Sequence, residues 1–144
     1  MSGPLHATLV ARRSAGRWRG VLLRGRSGVG KSDLALRLIG AGWRLAADDR
    51  VIAWRSGERV FGRAPEALRD LIEVRGVGAI PCPALDFAEI AWVIDCAPQD
   101  EALERTPEAA AATIAGVDLP LLRLRPLESA AAGRVAAFCG VACV

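Results

Sequence analysis

Short apolar runs, broken by glycine, proline and charged residues, recur along the chain and set the expected elements. Residues 5–11 and 18–24 read as a strand pair joined by a loop over 12–17. Residues 25–32 form a glycine-rich loop. Residues 33–41 then carry Leu34, Leu38 and Ala41 at helical spacing, with Gly42 as a stop. A short strand over 44–47 ends in Asp48-Asp49, and residues 51–54 and 59–61 flank Ser56-Gly57-Glu58 as a hairpin. Residues 65–71 read as a short helix with Pro65 in its first turn. Glu73 to Gly78 leads into a loop punctuated by Pro81 and Pro83. Residues 89–95 read as a strand, 100–107 as a polar loop, 119–125 as a strand and 128–138 as an Ala-rich terminal helix. Hairpins mixed with helix crossovers imply an α/β fold on a partly antiparallel sheet.

Composition narrows the class. The 144 residues are 52% apolar, enough for one buried core, so residues 1–144 are expected to form one domain. No stretch approaches the roughly 20 apolar residues of a membrane-spanning helix. The N-terminus lacks a basic segment followed by a long apolar one. A soluble, cytoplasmic protein with no membrane partner is the expectation. Nineteen basic against sixteen acidic residues leave a net charge of +3, short of the positive stripe of a nucleic-acid binder. Cys82, Cys96, Cys139 and Cys143 contain no C-x-x-C pair, and His6, the one histidine, is distant from them in sequence. Zinc is therefore unsupported, and reduced, buried thiols are expected, with Cys139 and Cys143 four apart on one helical face.

The chemistry concentrates in Gly25-Arg26-Ser27-Gly28-Val29-Gly30-Lys31-Ser32, a complete G-x-x-x-x-G-K-S between an apolar strand and a helix. Glycines let backbone N–H groups turn toward phosphate oxygens without Cβ obstruction. The helix presents its positive end to the anion. Lys31, the one lysine in a chain that otherwise uses arginine, is suited to the β/γ-phosphates as a compact point charge. The Ser32 hydroxyl can bind Mg²⁺. Triphosphate binding is the consequence. A second carboxylate should end a neighbouring strand, and the pattern offers two sites: Asp95 after Ile90-Ala91-Trp92-Val93-Ile94, or the pair Asp48-Asp49. A pair allows one acid near Mg²⁺ and the other as proton acceptor.

The loop, followed by Ala41-Gly42-Trp43-Arg44-Leu45-Ala46-Ala47-Asp48-Asp49 and Ile72-Glu73-Val74-Arg75-Gly76-Val77-Gly78, resembles the catalytic domain of HPr kinase/phosphorylase. The likeness runs from His6 to the terminal helix. It is to the short, alphaproteobacterial type, in which the family's separate N-terminal domain is absent. It implies a mixed α/β sheet akin to phosphoenolpyruvate carboxykinase, with a P-loop and flanking helices. It also implies an ATP- and Mg²⁺-dependent kinase acting on a serine of the phosphocarrier HPr, in the phosphotransferase system that regulates carbon metabolism. By resemblance Asp49 is the proton acceptor and Asp48 its neighbouring acid. Lys31 and Ser32 hold phosphate and Mg²⁺, Glu73 is the second metal ligand, His6 is catalytic, and Arg105 contacts the reacting phosphate from a loop. Asp95 is then structural.

The family's phosphorylase-linked segment keeps only its Arg-Pro, within Arg125-Pro126-Leu127-Glu128-Ser129, so reversal by inorganic phosphate stays an open part of the reading. A homo-oligomer is allowed. The alternatives are a small-molecule kinase on the same scaffold and an ATP-sensing module that transfers nothing. A pure sensor, however, has no need of a hydroxyl base such as Asp48-Asp49.

Overall fold

The computed structural model describes residues 3–141; Cys143 lies outside them. The chain opens with a long hairpin, β1 (Ala7–Ser14) and β2 (Arg17–Arg24), paired from Ala7↔Arg24 to Ser14↔Arg17. The loop expected over 12–17 is thus only Ala15-Gly16. Both residues have positive φ, 53° and 75°, the two-residue turn whose twist matches flanking antiparallel strands. Arg12 and Arg13 remain in the strand because indoles support them. The Arg12 guanidinium lies 5.3 Å from the Trp43 ring centre and 5.6 Å from that of Trp92, and Arg13 stacks on Trp18 at 5.6 Å.

Helix α1 (Lys31–Gly40) starts two residues earlier than the apolar spacing indicates, with Lys31 and Ser32 in its first turn. It ends as expected. The Trp43 N–H donates to the Leu38 carbonyl (3.0 Å), the Gly42 N–H donates to that of Ile39 (3.1 Å), and Gly42 takes φ 104°. β3 (Arg44–Ala47) follows, then the hairpin β4 (Ile52–Ser56) and β5 (Arg59–Arg63). The helix expected over 65–71 is one 3₁₀ turn, Glu66–Leu68, because Asp70 adopts a left-handed φ of 61° and the chain re-enters a strand at Leu71. Where a proline-rich loop was expected, β6 (Leu71–Val74) and β7 (Gly78–Pro81) form a separate two-stranded hairpin. Pro81 is tolerated there at the end of an edge strand. The chain closes with β8 (Ala88–Cys96), β9 (Ala110–Ile114), β10 (Val117–Leu124) and α2 (Ala131–Val141).

Eight strands make one mixed sheet, ordered β3-β1-β2-β8-β10-β9. β8 runs parallel to both β2 and β10, and the remaining pairs are antiparallel. β5 pairs with the first residues of β8 and carries β4 on its far side. Side chains alternate along the central strands. Val10, Val21, Leu23, Trp92 and Ile94 pack on one face with Leu34, Leu38, Val135 and Cys139 of the two helices. Leu9, Leu22, Ile90 and Val93 pack on the other with Val51 and Val60. Because β3 and β1 are each antiparallel to the next strand, the C-terminal ends of β2, β3 and β8 and the N-terminal end of β1 meet at one sheet edge. In α/β sheets that is where ligands bind. Among the described residues no helix is long and apolar enough to cross a membrane.

Two glycines test this packing in opposite directions. A Cβ at Gly20 would lie 2.8 Å from the Glu89 carbonyl oxygen and 2.7 Å from Leu9 Cδ1, at the register shift where β2 meets β8. Gly133 in α2 has nothing within 4 Å of that position. Urea unfolding should show Gly20→Ala destabilised by about 1–3 kcal/mol. Gly133→Ala should be stabilised by roughly 0.5–1 kcal/mol.

Candidate active site

At this edge β2 turns into the glycine loop. Gly25 has φ 152°, and a Cβ there would come within 2.9 Å of the Cys96 carbonyl oxygen, so the loop leaves the sheet where only glycine fits against β8. Cys96 is buried beneath it, its thiol pushed up to about 12 by burial against an opposing pull from Lys31, and so it is neutral at physiological pH. Gly28 and Gly30 also take positive φ, 84° and 118°. Gly30 is the N-cap of α1 and brings no side-chain acceptor, leaving the helix's leading N–H groups to an incoming anion.

Lys31 is 7% exposed, and its Nζ donates to the carbonyls of Gly25 (2.5 Å) and Arg26 (3.0 Å), across the mouth of the loop. From the other side, Pro126 and Leu127 close on Gly30, whose Cβ position is 2.8 Å from Leu127 Cδ2. Arg37 of α1 holds that segment by donating to the carbonyls of Pro126 and, at 3.0 Å, Glu128.

The end of β3 places the two acids differently. Asp48 is 5% exposed and fully engaged. Its Oδ1 accepts from the hydroxyls of Ser32 (2.7 Å) and Thr8 (2.9 Å), and its Oδ2 accepts from the backbone N–H of Glu73 (2.9 Å). Asp49 has φ 67°, and its side chain is 59% exposed. Arg50 bridges it to His6: one guanidinium nitrogen lies 3.0 Å from Asp49 Oδ2 and 2.8 Å from His6 Nδ1. A guanidinium only donates, so His6 Nδ1 accepts and the ring proton sits on Nε2. Asp95 is occupied elsewhere. Arg24 grips it in a two-point contact of 2.8 and 3.2 Å, so of the two strand-end candidates it is Asp48-Asp49 that faces the cavity.

A cavity of about 480 Å³ gathers Ser27, Gly28, Gly30, Lys31, Ser32, Asp48, Asp49 and Glu73 with Thr8, Arg75 and Leu127. Its volume is that of a small-ligand cleft. Gly25, Arg26 and Val29 belong to the loop but do not line the cavity, Val29 being packed in the core. His6 lies outside the lining and joins the site through Arg50. Arg105 is exposed on the segment between β8 and β9 and likewise lies outside the lining. Glu101 anchors the start of that segment to Arg123 (2.5 and 2.7 Å), which holds the Glu101 carboxyl below its ordinary range.

Ser32, Asp48 and Glu73 offer only oxygen, the donor chemistry that suits Mg²⁺. Among the described residues, no group of three His, Cys, Asp or Glu side chains converges as a metal cluster. Thr8 and Arg50 escaped the sequence reading, and Leu127 entered it only within the segment that follows Arg125-Pro126. Of the first two, only Thr8 left a trace there, as a lone polar residue inside an apolar strand.

Residues 5–89 match the family model described as the HPr Serine kinase C-terminal domain. An HPr kinase/phosphorylase of Enterococcus faecalis is 39% identical over 116 residues, covering 73% of this chain and 37% of that protein. One from Latilactobacillus sakei is 56% identical over 62 residues, 42% of this chain and 20% of its own. The chain therefore spans between a fifth and somewhat over a third of the length of these relatives. The structure of the HPr(Ser) kinase/phosphatase from Coxiella burnetii superposes with a TM-score of 0.79 at 21% identity, over 97% of this chain and 95% of that one, a likeness of fold. With more than half its residues inside the family model, the chain belongs to the HPr serine kinase C-terminal domain family.

Proposed function

We propose that the protein is an ATP- and Mg²⁺-dependent serine kinase of the cytoplasm that phosphorylates the phosphocarrier HPr. On this reading residues 1–144 act as one P-loop domain of phosphoenolpyruvate carboxykinase-like type. The observation that carries it is the division between the two acids. Asp48 is buried and tied to the Ser32 hydroxyl, while Asp49 is open at the cavity mouth beside the glycine loop. Relatives named HPr kinase/phosphorylase supply the acceptor.

ATP lies along the loop from Gly25 to Ser32 with its phosphates against the leading N–H groups of α1. Lys31 exchanges its loop carbonyls for phosphate oxygens and neutralises the transferred group. Ser32 and Glu73 would hold Mg²⁺, which would supply positive charge against the nucleotide's phosphates. Asp48 keeps the Ser32 proton turned away from the metal side. The acceptor serine enters over Asp49. Its Oγ bonds to the γ-phosphorus as the bond from that phosphorus to the β–γ bridging oxygen breaks, its proton passes to Asp49, and ADP leaves. His6, whose Nδ1 accepts from Arg50, donates from Nε2 toward the reacting phosphate, and Arg105 is assigned to the same oxygens by resemblance alone. Catalysis of this kind comes from positioning and charge neutralisation.

Intact-mass spectrometry of HPr incubated with the protein, ATP and Mg²⁺ tests the reading. It should show the gain of one phosphate on a serine. Phosphate subsequently added in excess, with pyrophosphate as readout, decides whether the reaction reverses. No mass change while ATP still binds would turn the assignment to a small-molecule acceptor or a sensor. Lys31→Ala should abolish both nucleotide binding and the mass gain. Asp49→Asn should retain ATP binding in calorimetry and lower kcat by about 10²–10⁴-fold, the usual contribution of a general base. Normal turnover in that variant would remove Asp49 from the role.

A further inference from the structure

We propose that Thr8 is a positioning residue that sets both acids of the site through one hydroxyl, an inference that rests on the kinase reading above. Thr8 sits in β1 among Ala7, Leu9, Val10 and Ala11, all fully buried and apolar. Valine has the same shape and would serve burial alone. A hydroxyl in this place is fully buried as well, and it is satisfied on both of its sides. Its proton goes to Asp48 Oδ1 at 2.9 Å, and its oxygen accepts the backbone N–H of Asp49 at 3.4 Å. One proton and two lone pairs leave no other arrangement, because a carboxylate cannot donate and an amide N–H cannot accept.

Each contact has a consequence at the reacting end. With Thr8 on Oδ1 and the Glu73 N–H on Oδ2, the Asp48 carboxylate is fixed in rotation and continues to face Ser32. Ser32 then commits its proton to Asp48 and keeps its lone pairs for a cation. On the other side, Asp49 is held at φ 67°, a region that side-chain-bearing residues seldom occupy, by a contact to its own N–H. That backbone setting decides where its exposed carboxylate points. His6 stands just before β1, two residues ahead of Thr8, so the start of one strand sets the metal-side serine, the base and the histidine side by side.

The test uses the whole chain with Thr8→Val, which keeps shape and loses the hydroxyl, and Thr8→Ser, which keeps the hydroxyl. The first readout needs neither nucleotide nor metal. Amide hydrogen exchange at Asp49 should accelerate about tenfold or more in Thr8→Val, the factor that about 1.4 kcal/mol of lost protection corresponds to, and stay slow in Thr8→Ser. The second is calorimetric ATP binding against Mg²⁺ concentration. The half-saturating Mg²⁺ should rise about 10–100-fold in Thr8→Val, as for other residues that orient metal ligands, with ATP affinity in EDTA unchanged and Thr8→Ser close to the parent protein. The inference is overturned if Thr8→Val keeps Asp49 protection and Mg²⁺ dependence, or if Thr8→Ser is impaired as deeply as Thr8→Val. Should Thr8→Val not fold, Thr8→Ala carries the same comparison against Thr8→Ser. A parent protein that binds ATP with Mg²⁺ but leaves HPr unmodified defeats the kinase reading, and these two readouts still judge Thr8.

Discussion

The carboxylate of Asp48 is the constraint on which the rest of the site depends. A carboxylate taken out of water costs several kcal/mol unless donors replace its hydration. Charge-assisted hydrogen bonds return about 1.5–3 kcal/mol each. Here the donors come from three elements besides its own: Thr8 in β1, Ser32 in α1 and Glu73 in β6. The acid therefore acts as a pin. The sheet edge, the helix that follows the glycine loop and the small β6–β7 hairpin are registered against it. If any one of the three drifts, an anion is left buried without its full set of donors. This gives the hairpin, which belongs to a separate sheet, a defined position beside the loop. It also sets the Glu73 side chain at the cavity wall while its backbone is held.

Lys31 faces the complementary problem, a buried cation. Its partners are two carbonyls of the loop that it follows, contacts that break without leaving a charge behind. An acid partner would have held the ammonium in place and competed with phosphate, whereas carbonyls hold it loosely enough to be exchanged. The two buried charges of the site are thus treated in opposite ways. Asp48 is bound by donors that stay, and Lys31 by acceptors that can be replaced.

Much of this was legible in the chain because the relevant signals are local. G-x-x-x-x-G-K-S between an apolar run and a helix announces a strand-loop-helix turn, Gly42 announces a helix end, and Asp48-Asp49 announces a strand end. Signals failed where structure was decided by partners remote in sequence. Ala110-Ala111-Ala112-Thr113-Ile114 has no strand signature of its own and becomes β9 because Ala112 and Ile114 bury against the sheet. The stretch around Pro81 and Pro83 reads as a loop, yet Ile80 pairs with Ile72 across a hairpin and both pack on the core. Arg12 and Arg13 look like loop residues until the indoles beneath them are in place. In the site, Arg50 lay directly beside the Asp pair, but its bridge to His6 joins residues 44 apart, a contact that spacing does not encode.

The glycine loop has a further property. Its backbone is shaped from outside, by the Cys96 carbonyl under Gly25 and by Pro126 and Leu127 over Gly30. The strand that leads into it is flanked by β8, some seventy residues later in the chain, as the pairing Arg24↔Asp95 records. Such non-local parallel pairings form slowly, since a long loop must close before any contact rewards it. On a ribosome, the glycine loop emerges before β8 and before Pro126 and Leu127, and it acquires its shape only once they have followed. Anion binding would then report completion of the fold, and a chain truncated before residue 126 would carry the whole motif and lack its outer wall.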